Sequence, residues 1–95
     1  MMDIRFEQTN SKGAFYISQN DARVGELTFS KAGDKLIIID HTDVSDSLRG
    51  TGAGKELVAA AVTYARNNNL KVLPLCPFAN SVFSKTAEFQ DVLNR

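Results

Sequence analysis

Cysteine and histidine each occur once in this 95-residue chain, as Cys76 and His41, and tryptophan does not occur at all. A single cysteine excludes an internal disulfide, so packing must hold the fold, and a reducing cytoplasmic setting is expected. One cysteine and one histidine are too few soft ligands for a structural zinc centre, and no metal is expected. No apolar run approaches the length of a membrane span, and the first residues do not read as a signal peptide. An excess of either charge is lacking too, because 11 basic residues balance 11 acidic ones. That balance removes the electrostatic case for nucleic acid or an anionic membrane as a partner. There is no repeat, low-complexity tract or linker, and the length allows one domain, residues 1–95, with one modest core.

What the chain does have is a concentration of glycine in its middle, Arg49-Gly50-Thr51-Gly52-Ala53-Gly54-Lys55. The apolar run Leu36-Ile37-Ile38-Ile39 before it reads as a strand. After it, Leu57, Val58, Ala61, Val62 and Ala65 recur at helical spacing. A glycine turn that opens a helix leaves N–H groups without partners, at the positive end of the helix dipole. Such a turn cradles phosphate oxygens. Two nucleotide motifs fail on residues they require. A P-loop would need glycine where Arg49 stands and Ser or Thr where Glu56 stands. The dinucleotide fingerprint would need a third glycine at Leu57 and an acid within residues 70–78, which have none.

The segment Arg49-Gly50-Thr51-Gly52-Ala53-Gly54 resembles the Gln/Arg-x-x-Gly-x-Gly/Ala motif of the GNAT superfamily of acetyl-CoA-dependent N-acetyltransferases. Val44 stands five residues ahead of the arginine. His41-Thr42 and Cys76-Pro77-Phe78-Ala79 are similar to features of its very small, roughly hundred-residue members. The resemblance covers most of residues 14–93. It implies an α/β fold with a mixed sheet: an antiparallel N-terminal meander, a β-α-β crossover and a C-terminal helix. It also implies acetyl-CoA as co-substrate, held by Val44, Arg49, Gly50, Thr51, Gly52, Ala53, Gly54 and Lys55, with Asn80 a further candidate. Family members of ordinary size carry one or two helices between their first two strands, where this chain has only a turn. They often carry a tyrosine acid on the last helix, where this chain has Phe83, which has no proton to donate.

Alternation predicts strands over residues 3–8, 14–19, 23–30 and from Leu36, the first of them at a sheet edge. Gly25, Leu27 and Phe29 should share one face, and Val24, Glu26 and Thr28 the other. The same alternation puts His41 on the face of Ile37 and Ile39, and Asp40 on the face of Ile38. A helix is expected over residues 52–68, stopped by Asn67-Asn68-Asn69, because asparagine tolerates the left-handed conformation. A strand over residues 71–75 should return parallel to the one before the helix. Pro77 then opens a last helix to about Ser84. The tail from Glu88 to Arg95 should pack Phe89, Val92 and Leu93 onto the fold.

His41 and Cys76 are the candidate catalytic residues. His41 is a candidate base for taking a proton from an ammonium acceptor, although a hydrogen-bonded structural histidine is the plainer reading. Cys76 falls at the strand end that the topology sets beside the glycine loop, and a helix N-terminus lowers a thiol's pKa. It is a candidate general acid, a candidate nucleophile, or an inert packing residue. The function expected is acetyl transfer to a primary amine of unknown identity. A coenzyme-A-binding or regulatory module with little turnover is the alternative.

Overall fold

The computed structural model describes residues 3–94. Met1, Met2 and Arg95, included in the expected domain and tail, lie outside the described residues. Four antiparallel strands form the first half: β1 (Ile4–Gln8), β2 (Lys12–Gln19), β3 (Ala22–Ala32) and β4 (Leu36–Val44). Asn20 and Asp21, both at positive φ, make the tight turn between β2 and β3. Gly33, at φ +71°, turns β3 into β4. A short 3₁₀ turn, Asp46–Leu48, leads through the glycines to α1 (Ala53–Asn67). The strand β5 (Lys71–Pro74) then pairs parallel to β4, from Leu36↔Lys71 to Ile39↔Pro74. The last elements are α2 (Pro77–Lys85) and a 3₁₀ segment, Ala87–Val92. The sheet order is β1-β2-β3-β4-β5, with β1 at one edge, so the expected α/β mixed-sheet class is the one observed.

Helix α1 forms where expected because its sequence lacks proline, is rich in alanine and repeats its apolar residues at helical spacing. Its stop is a Schellman arrangement. Asn69 takes φ +57°, Leu70 N–H bonds Ala65 C=O, and Asn69 N–H bonds Arg66 C=O. Leu57, Val58, Ala61, Val62 and Ala65 are fully buried and pack in one cluster with Leu27, Phe29, Ile37, Ile39 and Val72. Each large aliphatic side chain taken from water contributes roughly 1.5–3 kcal/mol. Phe6, Phe15, Phe29 and Tyr64 join α1 to the meander, with Phe29 and Tyr64 ring centroids 5.6 Å apart. Gly13 lies directly under the Phe29 ring and leaves it room.

The tail closes against β5. Asn94 N–H bonds Val72 C=O, and Lys71 Nζ reaches Asp91 C=O. Arg66 pairs with Asp91 at 2.7 Å and also donates to Glu88 C=O. Val92 is buried, and Phe89 and Leu93 pack on the core.

One expectation about the sheet is overturned. Between β3 and β4 the register runs Phe29↔Ile39 and then Thr28↔His41, so Asp40 is a bulge residue. A bulge inserts one residue and reverses the faces of everything after it. His41 therefore leaves the Ile37 and Ile39 face and pairs beside Thr28, exposed. Asp40 stays on the face of Ile38, as expected, and accepts a hydrogen bond from Ser30 at 2.6 Å. Thr42 and Val44, paired with Leu27 and Gly25, now occupy the inner face.

Candidate functional site

The pairing of β4 with β5 ends at Ile39 and Pro74, whereas β4 continues to Val44. Past that point β5 turns away into α2, with Leu75 and Cys76 N–H both donating to Ile39 C=O. The edge of β4 from Asp40 to Val44 is left without a strand partner on that side. The glycine loop and the first turns of α1 and α2 gather around this opening. They enclose a cleft of about 620 Å³, a volume in the range of small-molecule sites.

The loop's conformation follows from its glycines. Gly50 and Gly52 stand at φ +78° and +82°, where a side chain would be strained, and both face open space. Gly52 caps α1 without any side-chain hydrogen bond. Among the described residues, the amides of Gly50, Gly52, Ala53, Gly54 and Lys55 find no acceptor. Those of Arg49 and Thr51 do, on Asp46 C=O and Leu48 C=O, so they drop out of the amide cradle expected over 49–55. Thr51 Oγ1 also donates to Leu48 C=O, which turns its side chain away from the cleft. The charged residues of the lining are Arg49, Lys55 and Lys85, with no carboxylate among them. Arg49 is partly engaged by Asp46 at 2.8 Å, both largely exposed.

From β4 the cleft takes Thr42 and Val44, and from α2 it takes Phe78, Ser81, Val82 and Lys85. These α2 positions follow the i, i+3, i+4, i+7 spacing of one helix face. Asn80 misses that face by one helical step and lies in a separate groove with Phe83, Ser84 and Leu93. The polar residues that α2 gives to the cleft lining are Ser81 and Lys85, and Asn80 is not among them. Phe78, 44% exposed, lays its ring over Gly54, where a Cβ would come within 2.8 Å of Cε2. Gly54 is thus required by the approach of α2, and its backbone conformation is ordinary.

Cys76 is buried at the α2 N-terminus and does not itself line the cleft, although Thr42 and Phe78, which act on its thiol, do. Burial pushes its thiol up. The amides of Ala79 and Phe78, with the hydroxyl and backbone of Thr42, outweigh that and bring it below its ordinary value. Thr42 Oγ1 is shielded from solvent and has no hydrogen-bond partner of good geometry. A hydroxyl buried in that way costs about 1–3 kcal/mol. His41 lies on the far face of the sheet, so the two catalytic candidates flank the strand from opposite sides. Phe83 is buried against Phe89 and does not line the cleft.

Sequence reasoning missed Thr42, Leu48, Phe78, Ser81, Val82 and Lys85 as lining residues. One signal for Thr42 was present. Ile39 and Val44 are an odd number of residues apart, so an unbroken strand cannot turn both inward.

Comparison with known proteins accords with this geometry. A family model described as GCN5-related N-acetyl-transferase matches residues 14–92. Protein NATD1 of Xenopus tropicalis is 30% identical over 74 residues, 77% of this chain and 68% of that protein. A GCN5-like protein from Staphylococcus aureus, solved in solution by NMR, is 39% identical. It superposes with a TM-score of 0.74 over 99% of this chain and 91% of its own. Ribosomal-protein-alanine N-acetyltransferase from Brucella melitensis biovar Abortus 2308 is 18% identical and shares the fold, with a TM-score of 0.68. That match covers 81% of this chain and 62% of the Brucella protein.

Proposed function

The chain belongs to the GCN5-related N-acetyltransferase family, and from that premise we propose that it binds acetyl-CoA in this cleft and transfers acetyl to a primary amine. The observation that carries the proposal is the loop. Its free amides, the bare glycines and the carboxylate-free lining of Arg49, Lys55 and Lys85 suit a pyrophosphate. The unpaired edge of β4 supports the same reading, because it offers backbone groups to an extended amide-bearing arm. When bound, acetyl-CoA supplies an activated acyl group and a thiol leaving group.

The chain's own residues then divide the work. Val44 and Thr42 border the arm on the inner face. Cys76 hands a proton to the departing sulfur, at a thiol whose lowered pKa makes it the stronger acid. His41 takes the proton of the attacking amine, which approaches from the outer face through the gap beyond Pro74. The acceptor is a small-molecule amine or a protein lysine, since the balanced charge offers nothing to nucleic acid. The lone cysteine accords with a cytoplasmic location.

One observation favours the coenzyme-A-binding alternative. Phe83, where family members often place a tyrosine acid, is buried and inert, so turnover depends on Cys76. Acetyl-CoA titrated into ¹⁵N-labelled protein should shift the amides of Gly50, Gly52, Ala53, Gly54 and Lys55 first. Shifts confined to other residues would refute the site. A parallel assay against an amine library, with hydrolysis followed separately, distinguishes transfer from binding alone.

A further inference from the structure

Thr42 holds the buried side-chain hydroxyl that lacks a partner among the described residues, and it does so at the wall of the cleft. Threonine is a good strand former, and packing alone would account for its shape at an inner position. Packing does not account for the oxygen. Valine has the same shape with no hydroxyl to satisfy, and a buried group left unsatisfied calls for an explanation. The bulge at Asp40 puts this oxygen inward, and Cys76 closes the β4–β5 ladder through its own N–H on Ile39 C=O. The hydroxyl and the sulfur therefore both lie on the inner side where the sheet opens, with no hydrogen bond joining them while the hydroxyl still bears on the thiol's titration.

We propose that Thr42 is a positioning residue for Cys76, its hydroxyl standing unpartnered while the thiol keeps its proton and donating to the sulfur once that proton has left. A neutral thiol is a weak acceptor, whereas a thiolate accepts strongly. The orphaned hydroxyl belongs to the protonated state of the cysteine. The inference rests on the reading of Cys76 as the proton donor to the departing thiol. In that step the Sγ–H bond breaks, its electron pair stays on Sγ, and the proton goes to the coenzyme sulfur. The amine's surplus proton leaves through His41, and Cys76 regains a proton from solvent. Thr42 Oγ1 keeps its own hydrogen throughout and steadies the charge on Sγ while it lasts.

Against the burial that raises the thiol's pKa, the groups that act most on the sulfur are the backbone amides of Ala79, Phe78 and Thr42 and the Thr42 hydroxyl. Asp40, His41 and Asp43 of β4 project from the outer face, and Lys55 and Lys85 line the cleft. Of the groups acting on the sulfur, Thr42→Val removes the hydroxyl alone, so a change in the thiol's titration in that variant reports on it. The rate of Cys76 alkylation by iodoacetamide should be measured against pH in the intact wild-type chain, Thr42→Val and Thr42→Ser. Urea denaturation of each should accompany it. We expect Thr42→Val to raise the alkylation midpoint by about one pH unit, with stability unchanged or improved. Thr42→Ser, which keeps the hydroxyl, should stay near the wild-type midpoint. A midpoint unmoved in Thr42→Val overturns the proposal, as does an equal upward shift in Thr42→Ser. Alkylation needs no acetyl-CoA, so failure here is distinct from failure of the catalytic reading, which would show as full turnover in Cys76→Ala.

Discussion

Two glycines in this molecule each lie beneath a phenylalanine ring, one in the meander and one at the cleft. A Cβ on Gly13 would come within 2.7 Å of Phe29 Cε2, and one on Gly54 within 2.8 Å of Phe78 Cε2. The local geometry is nearly the same, but the surroundings differ. Phe29 is fully buried, ringed by Phe6, Phe15 and Tyr64, and has nowhere to go. Phe78 is 44% exposed and has solvent beside it. The meander uses the contact to fix the core. At the cleft the contact sets the position of a side chain that is free to move. A close approach between backbone and ring is thus structural or adjustable according to what stands behind the ring.

The sharpest way to break this comparison is to add the missing methyl at each place. Gly13→Ala should destabilise by about 3 kcal/mol, the upper range for overpacking, because Phe29 cannot yield. Gly54→Ala should cost under about 1 kcal/mol, with Phe78 rotating away, and should change acetyl-CoA affinity instead. Urea denaturation of both variants gives the answer, and equal losses would remove the distinction. Cys76→Ala sharpens it from the other side. Its stability loss should be about 1 kcal/mol, while turnover falls roughly 10²-fold at unchanged acetyl-CoA affinity. Mass spectrometry of wild type held with acetyl-CoA and no amine should find no stable acetyl adduct on Cys76. An adduct labile to hydroxylamine would recast the cysteine as a nucleophile.

The smallest effect belongs to the tail, which neither region contains. The Arg66 guanidinium, through its hydrogen bond, holds the Asp91 carboxyl below its ordinary range. The stabilisation is present above the carboxyl's unfolded pKa and is lost as pH falls through the lower folded value. Amide exchange in residues 89–94 should quicken in acid before exchange in α1 does. Asp91→Asn should abolish that difference. Because the pair is exposed, the effect on global stability should be slight.

Local chemistry was legible in the sequence wherever it is settled within a few residues. The proline-free run of α1, its asparagine stop and the proline start of α2 all act through neighbouring backbone. What was illegible depends on distant partners. The inward turn of Thr42 requires the register of β3 against β4. Asn80 and Ser81 differ by a single step whose outcome depends on which face of α2 meets the glycine loop. The family resemblance counts Thr51 among the coenzyme-binding residues, yet its hydroxyl donates to Leu48 C=O.

The bulge at Asp40 makes the sheet's two chemistries a matter of parity. In a strand, whether a side chain faces in or out depends only on whether an even or an odd number of residues precedes it from a fixed point. Ile39 is the fixed point here, held by Phe29, and Asp40 is the residue that changes the count. No property of imidazole or hydroxyl assigns His41 to one side and Thr42 to the other. Removing Asp40 would exchange them, sending the ring toward the core and the hydroxyl out to solvent, with every other letter of the chain unchanged. The division between the face of His41 and the face of Thr42 is therefore written in chain length, in the single residue that precedes them.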